Sequence, residues 1–326
     1  MAELSLLQRG EGRVNKAFVT GATGFVGANL VRTLLDGGVG VRVLVRGDSD
    51  RSNLQGLPVE IVPGDVLDRV AIAGGLRGCD SCFHVAAAYS LPDPEAIYRV
   101  NVEGTRAVLE VAAQTGIPAI VHTSTVGTLG RPGAQGPATE ADSFLAPDAS
   151  DYVRSKFRSE EVAAEVASRG ANVVIVHLAA PVGPWDRVPT VTGRRIMEVL
   201  RGKWPRYVPG EINHVAVRDV ARGMILAAER GVRGRHYLLA REGGNLSRRA
   251  FTELVSRVAG IRPPRQRRRE VLLGWLRRPS GIRKGGGPAS LACDPGRSVR
   301  ELGLPQTPLE PAFRDAVEWF RGRGMA

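Results

Sequence analysis

The sequence predicts an α/β fold, a doubly wound parallel sheet covered by helices on both faces, followed by a smaller C-terminal lobe. Two observations carry this expectation. In residues 17–27, apolar and β-branched residues lead into Gly21, Gly24 and Gly27, then into an apolar pattern of helical period that stops at Gly37-Gly38. That is the pattern of strand, tight turn and helix. The same alternation recurs through Leu178, and each strand is a nearly continuous apolar run, as a sheet buried on both faces requires.

Taken in order, Gly40 to Arg46 alternates as a second strand, Val59 to Val62 is a short third ending at Gly64-Asp65, and Ser81 to Ala87 is a fourth. Asn101 to Gln114 gathers Gly104, Val108, Val111 and Ala112 on one face and reads as a packed helix. Ala119 to Ser124 is the fifth strand and Asn172 to Leu178 the sixth, with a helix from near Asp151 to about Arg169 between them. The Gly-, Pro- and Ala-rich stretch from Gly130 to Ala149 is a loop able to cover a site. From Pro181 the alternation loosens, although 212–230 reads as a strand and helix returning to the main sheet. Phe313, Val317 and Phe320 mark a final helix. The expected organisation is an N-terminal extension over 1–15, a dinucleotide-binding domain over 16–180 and a mainly substrate-binding lobe over 181–326.

Composition narrows the function classes. A chain of 326 residues, 43% of them hydrophobic, can bury a large core. Residues 1–15 hold no apolar stretch of signal-peptide length and no apolar run is long enough to span a bilayer, so the cytoplasm is the expected compartment. Cys79, Cys82 and Cys293 cannot form a disulfide framework, and Cys79-x-x-Cys82 lacks a second pair at metal spacing, so they read as structural thiols and no metal site is expected. Of the net charge of +12, a surplus of +8 comes from residues 262–284, where nine basic residues face one acid, Glu270. No nucleic-acid-reading motif accompanies it, which counts against a nucleic-acid partner. Within that segment, Val271 to Leu276, including Trp275, lies between Arg267-Arg268-Arg269 and Arg277-Arg278. The arrangement suits a weak contact with an anionic membrane surface, set against an ordinary helix with solvated ends.

Two clusters carry chemistry. Gly21 permits the turn, Gly24 lets backbone approach a phosphate, and Gly27 lets the helix lie close to its strand, so a pyrophosphate can sit on free N–H groups at the helix N-terminus. Tyr152 and Lys156 share a helix face four residues apart, and an ammonium beside a phenol lowers the phenol's pKa toward the working pH, making it a usable general acid or base. Thr123-Ser124-Thr125 ends the fifth strand at the carboxyl edge of the sheet, where a hydroxyl can bond a substrate oxygen. A Ser-His-Asp nucleophile is the rival arrangement, but the chain has no Gly-x-Ser-x-Gly elbow.

Together these residues resemble the extended short-chain dehydrogenase/reductase family, which is the NAD-dependent epimerase/dehydratase family. The resemblance runs through Thr20–Gly27, Gly64-Asp65-Val66, His84 to Ala87, Asn101 to Thr105, Thr123 to Thr125, Tyr152-x-x-x-Lys156, Pro181 to Pro184, and His214-Val215 with Asp219 to Ala221. Within the family the chain looks most like hopanoid-associated sugar epimerases and dihydroflavonol-reductase-like proteins, on Val41 to Leu54, Pro189 to Arg194 and Arg300 to Pro308. The resemblance implies a Rossmann-type sheet and hydride transfer between nicotinamide and a carbon bearing a hydroxyl or carbonyl. Tyr152 would exchange the proton, Lys156 would hold the nicotinamide ribose, Thr125 would take the family's serine position with Ser124 in reserve, and Asn101 would support the relay. Gly21, Thr23, Gly24, Phe25, Val26, Gly27, Asp65, Val66, Ala86, Ala87, Pro181 and Val182 would line the cofactor. Arg46, where an NAD enzyme wants an acid, favours NADP(H) over NAD(H), with Ser49 and Arg51 as helpers and Asp48 opposing. Ala180 replaces the Asn that in sugar-nucleotide epimerases grips the diphosphate, which counts against a UDP-sugar. The partner expected is a small hydroxyl or ketone compound, a sugar or a lipid-linked molecule; a homodimer is compatible. A dinucleotide-sensing protein without turnover is the rival class, against which Tyr152 and Lys156 argue.

Overall fold

The computed structural model describes residues 13–89, 91–130, 136–146, 149–264 and 290–326. Seven parallel strands form the main sheet in the order β3-β2-β1-β4-β5-β6-β9. They are β1 (Lys16–Thr20), β2 (Gly40–Val45), β3 (Glu60–Pro63), β4 (Ser81–His84), β5 (Ala119–Thr125), β6 (Val173–Leu178) and β9 (His236–Leu239). The order runs outward from β1 through β2 to β3 and, on the other side, from β4 to β9. The crevice between β1 and β4 is therefore the point where the winding reverses.

Helices α1 (Phe25–Asp36) and α7 (Val217–Arg230) cover one face. Leu30, Val31, Leu34 and Met224 pack there on Val19, Val43, Val121 and Val176. Helices α2 (Arg69–Leu76), α4 (Gly104–Gln114) and α5 (Asp151–Ser168) cover the other, with Ile72, Val108 and Ala163 on Phe18, Ile120 and Ile175. Alternate residues of each strand thus meet helices on opposite sides, which is why the strands read as apolar throughout. Helix α5 begins where Ser150 accepts a hydrogen bond from the Val153 N–H, a side-chain N-cap.

Four elements depart from the expectations. The fourth strand stops at His84 instead of Ala87, because after the Val85 N–H bonds the Thr20 carbonyl the chain leaves the ladder at the sheet's carboxyl edge. The helix expected from Asn101 is longer: α3 (Pro94–Tyr98) continues through a π-turn, Arg99–Glu103, into α4. The strand expected to return to the main sheet does not. Residues Ile212–Ala216 (β8) pair with β7 (Ala180–Val182) and β10 (Asn245–Leu246) in a separate three-stranded sheet, while the following helix α7 returns to the main sheet's face. Every residue of β8 is buried, Val215 in the main core and His214 among Tyr207, Phe251 and Phe313 of the small lobe, so it needs cover on both sides. The last main-sheet strand, β9, was not read from the sequence.

The small lobe closes around Ile196, Val199, Phe251, Val255, Phe313, Val317 and Phe320, contributed by α6 (Val191–Leu200), α8 (Arg248–Ala259) and the C-terminal helix Leu309–Gly322. All three cysteines are free and buried, and burial raises the Cys82 thiol. Residues 265–284 of the basic segment lie outside the described residues, and with them the expected membrane-surface patch. No helix among the described residues is long and apolar enough to cross a membrane. Phe313 is fully buried among aromatic neighbours. Truncation to Ala is expected to cost about 3–5 kcal/mol, read as a lower urea midpoint.

Candidate active site

The expected cofactor residues follow the carboxyl ends of successive strands around the reversal point. Gly21 comes directly after β1 with φ of 72°, and a Cβ on it would sit 2.5 Å from the Ala86 nitrogen, so only glycine fits both the conformation and the approach to β4. A Cβ on Gly27 would lie 2.1 Å from the Gly21 carbonyl oxygen. Gly24 is the N-cap of α1, makes no side-chain cap bond, and the first turn carries no acid. The N–H groups of Phe25, Val26 and Gly27 are therefore presented by an uncapped helix start, which fits a phosphate by hydrogen bonding and dipole. These two missing Cβ atoms and the bare helix start are what a pyrophosphate needs.

Around this turn, Arg46 directly follows β2, its guanidinium 3.4 Å from Asp48 and both side chains mostly exposed. Asp65 follows β3 and accepts from the Leu67 N–H, while Val66 is buried against Gly104 at the start of α4. Ala86 donates its N–H to the Thr20 hydroxyl, and Ala87 beside it is exposed. Pro181 and Val182 are placed differently, within β7 of the small sheet, with Val182 in the small lobe's core. Two asparagines that sequence reasoning missed bind the turn to this segment. Asn53 donates to the carbonyls of Thr23 and Trp185, and Asn29 to those of Phe25 and Pro184. Trp185 itself has a left-handed φ of 75°, and the Arg32 guanidinium lies 3.5 Å over its ring. Their signal was weak, since a polar residue on a helix and one in a short turn are commonplace alone.

The structure brings the other expected group together. Thr125 ends β5, and its hydroxyl lies near the Tyr152 phenol on α5, where it acts to lower that phenol's pKa. One turn further, Lys156 is 2% exposed. Asn101 lies in the π-turn, where the extra residue re-aims its side chain. Its Oδ1 accepts from the Ala88 N–H at 2.7 Å, and its Nδ2 donates to the Ala88 carbonyl at 2.9 Å and to Ser155 Oγ at 2.8 Å. Ser155 in turn donates to the Tyr152 carbonyl, so Asn101 ties the loop after β4 to the turn of α5 between Tyr152 and Lys156. Ser124, the reserve hydroxyl, points elsewhere and donates to the Glu160 carboxylate. Tyr89, unforeseen, lays its ring 4.7 Å from that of Tyr152.

The electrostatics depart from expectation. Burial raises the Tyr152 phenol, with Tyr89 adding to the effect and the Thr125 hydroxyl opposing it. Lys156 does not reverse the shift, because its own charge is penalised: burial lowers it to about 8, with Glu160 opposing. The site therefore holds a protonated phenol and an amine that releases its proton close to neutral pH.

A glycine turn at the reversal point of a parallel sheet, with a Thr–Tyr–Lys group at its carboxyl edge, defines a dinucleotide-dependent α/β enzyme. Residues 17–240 match the NAD dependent epimerase/dehydratase family, and the chain belongs to it. It is thus an NAD(H)-using enzyme of the reductase, dehydratase and epimerase kind. It is 40% identical to a putative dihydroflavonol 4-reductase from Synechocystis sp. over 94% of this chain and 95% of that protein. It is 38% identical to sterol demethylase protein B of Methylococcus capsulatus, over 94% and 98% respectively. The crystal structure of DesIV, a dTDP-glucose 4,6-dehydratase from Streptomyces venezuelae with NAD bound, superposes with a TM-score of 0.78 at 26% identity, covering 95% of this chain and 98% of that one.

Gly27→Ala is expected to separate α1 from the glycine turn and abolish saturable binding of either dinucleotide, measured by calorimetric titration, because 2.1 Å leaves no room for a methyl group.

Proposed function

We propose that the protein is an NADP-preferring carbonyl reductase, running in reverse as an alcohol dehydrogenase. The observation that carries this reading is the approach of the Tyr152 phenol to the Thr125 hydroxyl at the end of β5, one helical turn from buried Lys156. The glycine turn would hold the pyrophosphate, and Asp65, Val66, Ala86 and Ala87 would flank the cofactor's path. When bound, the nicotinamide supplies the hydride or takes it up.

This chain's own residues handle the proton. Thr125 orients the substrate oxygen, and Tyr152 gives it the phenol proton. A phenol raised by burial stays protonated until the substrate oxygen becomes basic, which suits an acid more than a resting base. Lys156 then reprotonates the phenolate, which its value of about 8 permits at neutral pH. Asn101 is a positioning residue, since its amide is fully engaged with Ala88 and Ser155. Tyr89, with Arg195 electrostatically coupled to both Tyr89 and Tyr207, would give the substrate an aromatic wall. Such a wall fits a flat ring ketone, in keeping with the relatives named for a dihydroflavonol and a sterol. Ala180, without an amide, offers no grip for a nucleotide diphosphate, which ranks a sugar epimerase second.

Tyr152→Phe is expected to bind cofactor normally and lose about 10²–10⁴-fold in kcat for ketone reduction, read at the nicotinamide absorbance band; full activity would refute the mechanism. For the wild type, ketone reduction should fall above a pH of about 8 as Lys156 loses its proton, and alcohol oxidation should rise through the same range.

The cofactor preference rests on Arg46, whose exposed pairing with Asp48 costs little to exchange for a 2′-phosphate. Arg46→Ala should weaken NADP binding by about tenfold and leave NAD binding unchanged, by titration of each dinucleotide.

A further inference from the structure

The chain crosses from the main sheet into the small lobe through residues 183–190, between β7 and α6. This crossing is tied at three places. On α1, Asn29 Nδ2 donates to the carbonyls of Phe25 at 2.9 Å and Pro184 at 3.0 Å. After β2, the Nδ2 of buried Asn53 donates to the Thr23 carbonyl at 3.0 Å and the Trp185 carbonyl at 3.2 Å, and Asp50 pairs with the Arg187 guanidinium at 2.9 Å. On the lobe side, the buried Asp186 carboxylate accepts from the N–H and the hydroxyl of Thr190, the N-cap of α6. It fits because Gly193 has no side chain: a Cβ there would lie 2.2 Å from its Oδ2.

Trp185 stands in the middle of this crossing in a conformation its side chain disfavours. Its φ of 75° is the one left-handed backbone angle outside glycine among the described residues. Such strain persists only where the surroundings over-determine it. Here they include a stack of four side chains. The Arg32 guanidinium of α1 lies 3.5 Å from the centre of the Trp185 ring. The Trp319 ring of the C-terminal helix lies 4.6 Å from the Trp185 ring at a tilt of 47°, and the Arg323 guanidinium 4.4 Å from the Trp319 ring. Trp319 keeps this place although its indole N–H is buried and has no partner. Filling space between the lobes does not call for this arrangement, since an unstrained apolar pair would do so without either cost.

We infer that the stack is a latch through which the C-terminal helix holds the glycine turn in its dinucleotide-binding form, with Trp185 and Trp319 as positioning residues. It rests on the reading of that turn as the seat of the pyrophosphate. The contacts run in series. Trp319 fixes the Trp185 ring, the ring fixes the strained backbone, the Trp185 carbonyl fixes the Asn53 amide, and that amide fixes the Thr23 carbonyl between Gly21 and Gly24. Without Trp319, residue 185 relaxes from the left-handed region and its carbonyl turns away from Asn53. The turn then samples forms in which the N–H groups of Phe25, Val26 and Gly27 no longer converge. Apparent affinity falls by the fraction of molecules whose turn stays formed.

The coupling is reciprocal, because a dinucleotide that selects the formed turn also tightens the docking of whatever holds it. The C-terminal helix packs on α6 and α8 of the small lobe. Cofactor binding thereby steadies the lobe expected to receive the substrate.

The test titrates NADH and NADPH calorimetrically into the full-length wild type and its variants. Trp319→Ala should bind the preferred dinucleotide about tenfold more weakly, and Trp319→Phe, which keeps a ring in the stack, should stay within about twofold of the wild type. Trp185→Gly tolerates the left-handed angle but lacks the ring, and should lose about as much; adding Trp319→Ala to it should cost nothing further, because their contact is already gone. Val317→Ala, a core truncation on the same helix, should lower the melting temperature and leave affinity within about twofold. Wild-type affinity in Trp319→Ala, an equal loss in Val317→Ala, or losses that add in the double variant would overturn the latch. The reverse direction is read in the wild type by hydrogen exchange: saturating dinucleotide should slow the amides of residues 316–323, and unchanged rates there also overturn it. A wild type that binds neither dinucleotide, or a Gly27→Ala variant that binds normally, would instead refute the reading of the glycine turn. The latch is then judged without ligand: the amides of residues 21–28 should exchange about tenfold faster in Trp319→Ala, and equal rates overturn it.

Discussion

The close approach of α1 to β1 is the constraint on which the rest depends. It exists because Gly27 has no side chain: the space a Cβ would take is filled by the Gly21 carbonyl. With the helix held there, its uncapped start faces the carboxyl edge of the sheet at the reversal between β1 and β4. Its other face is free to pack against α7, and that contact draws the chain back from the small lobe onto the main sheet. A turn of a few residues thus sets both where the bare helix start faces and the way the two lobes are joined.

The second half of the site depends on a polar lock inside an apolar core. Asn101 satisfies its whole amide with Ala88 and Ser155, and it can do so because the π-turn displaces it from the regular helical track. Buried polar groups are stabilising only when every donor and acceptor is met, and here they are. The lock holds the loop after β4 and the turn of α5 at a fixed separation, placing Tyr152 against Thr125. Burial then acts on the two titrating groups in opposite senses, raising the phenol and lowering the amine. Desolvation penalises the charged form of each, so the pair rests closer to neutral than an exposed Tyr and Lys would.

How much of this was legible varied with the range of the interaction. The glycine turn, six of the seven main-sheet strands and the Tyr152–Lys156 spacing were readable, since each is a local pattern of period two, period 3.6 or fixed offset. The strand β9 was not, because four residues following the loosened region beyond Pro181 carry too little periodicity to stand out. Residues Ile212–Ala216 were read correctly as a strand and assigned to the wrong sheet, since an apolar run does not encode its partner. Thr125 was read as the site hydroxyl with Ser124 in reserve, and the reason only Thr125 lies near Tyr152 is that successive residues of a strand point to opposite faces.

The sequence alone therefore determined the fold class, the position of the glycine turn and the chemical types at the candidate site, because backbone conformation and hydrophobic period are local properties. Tertiary structure decided which hydroxyl lies near the phenol, what the asparagine holds, in which direction burial moves each titrating group, and that Trp185 meets Trp319. These depend on strand order and register, which bring together residues far apart in the chain and remove water from them at the same time.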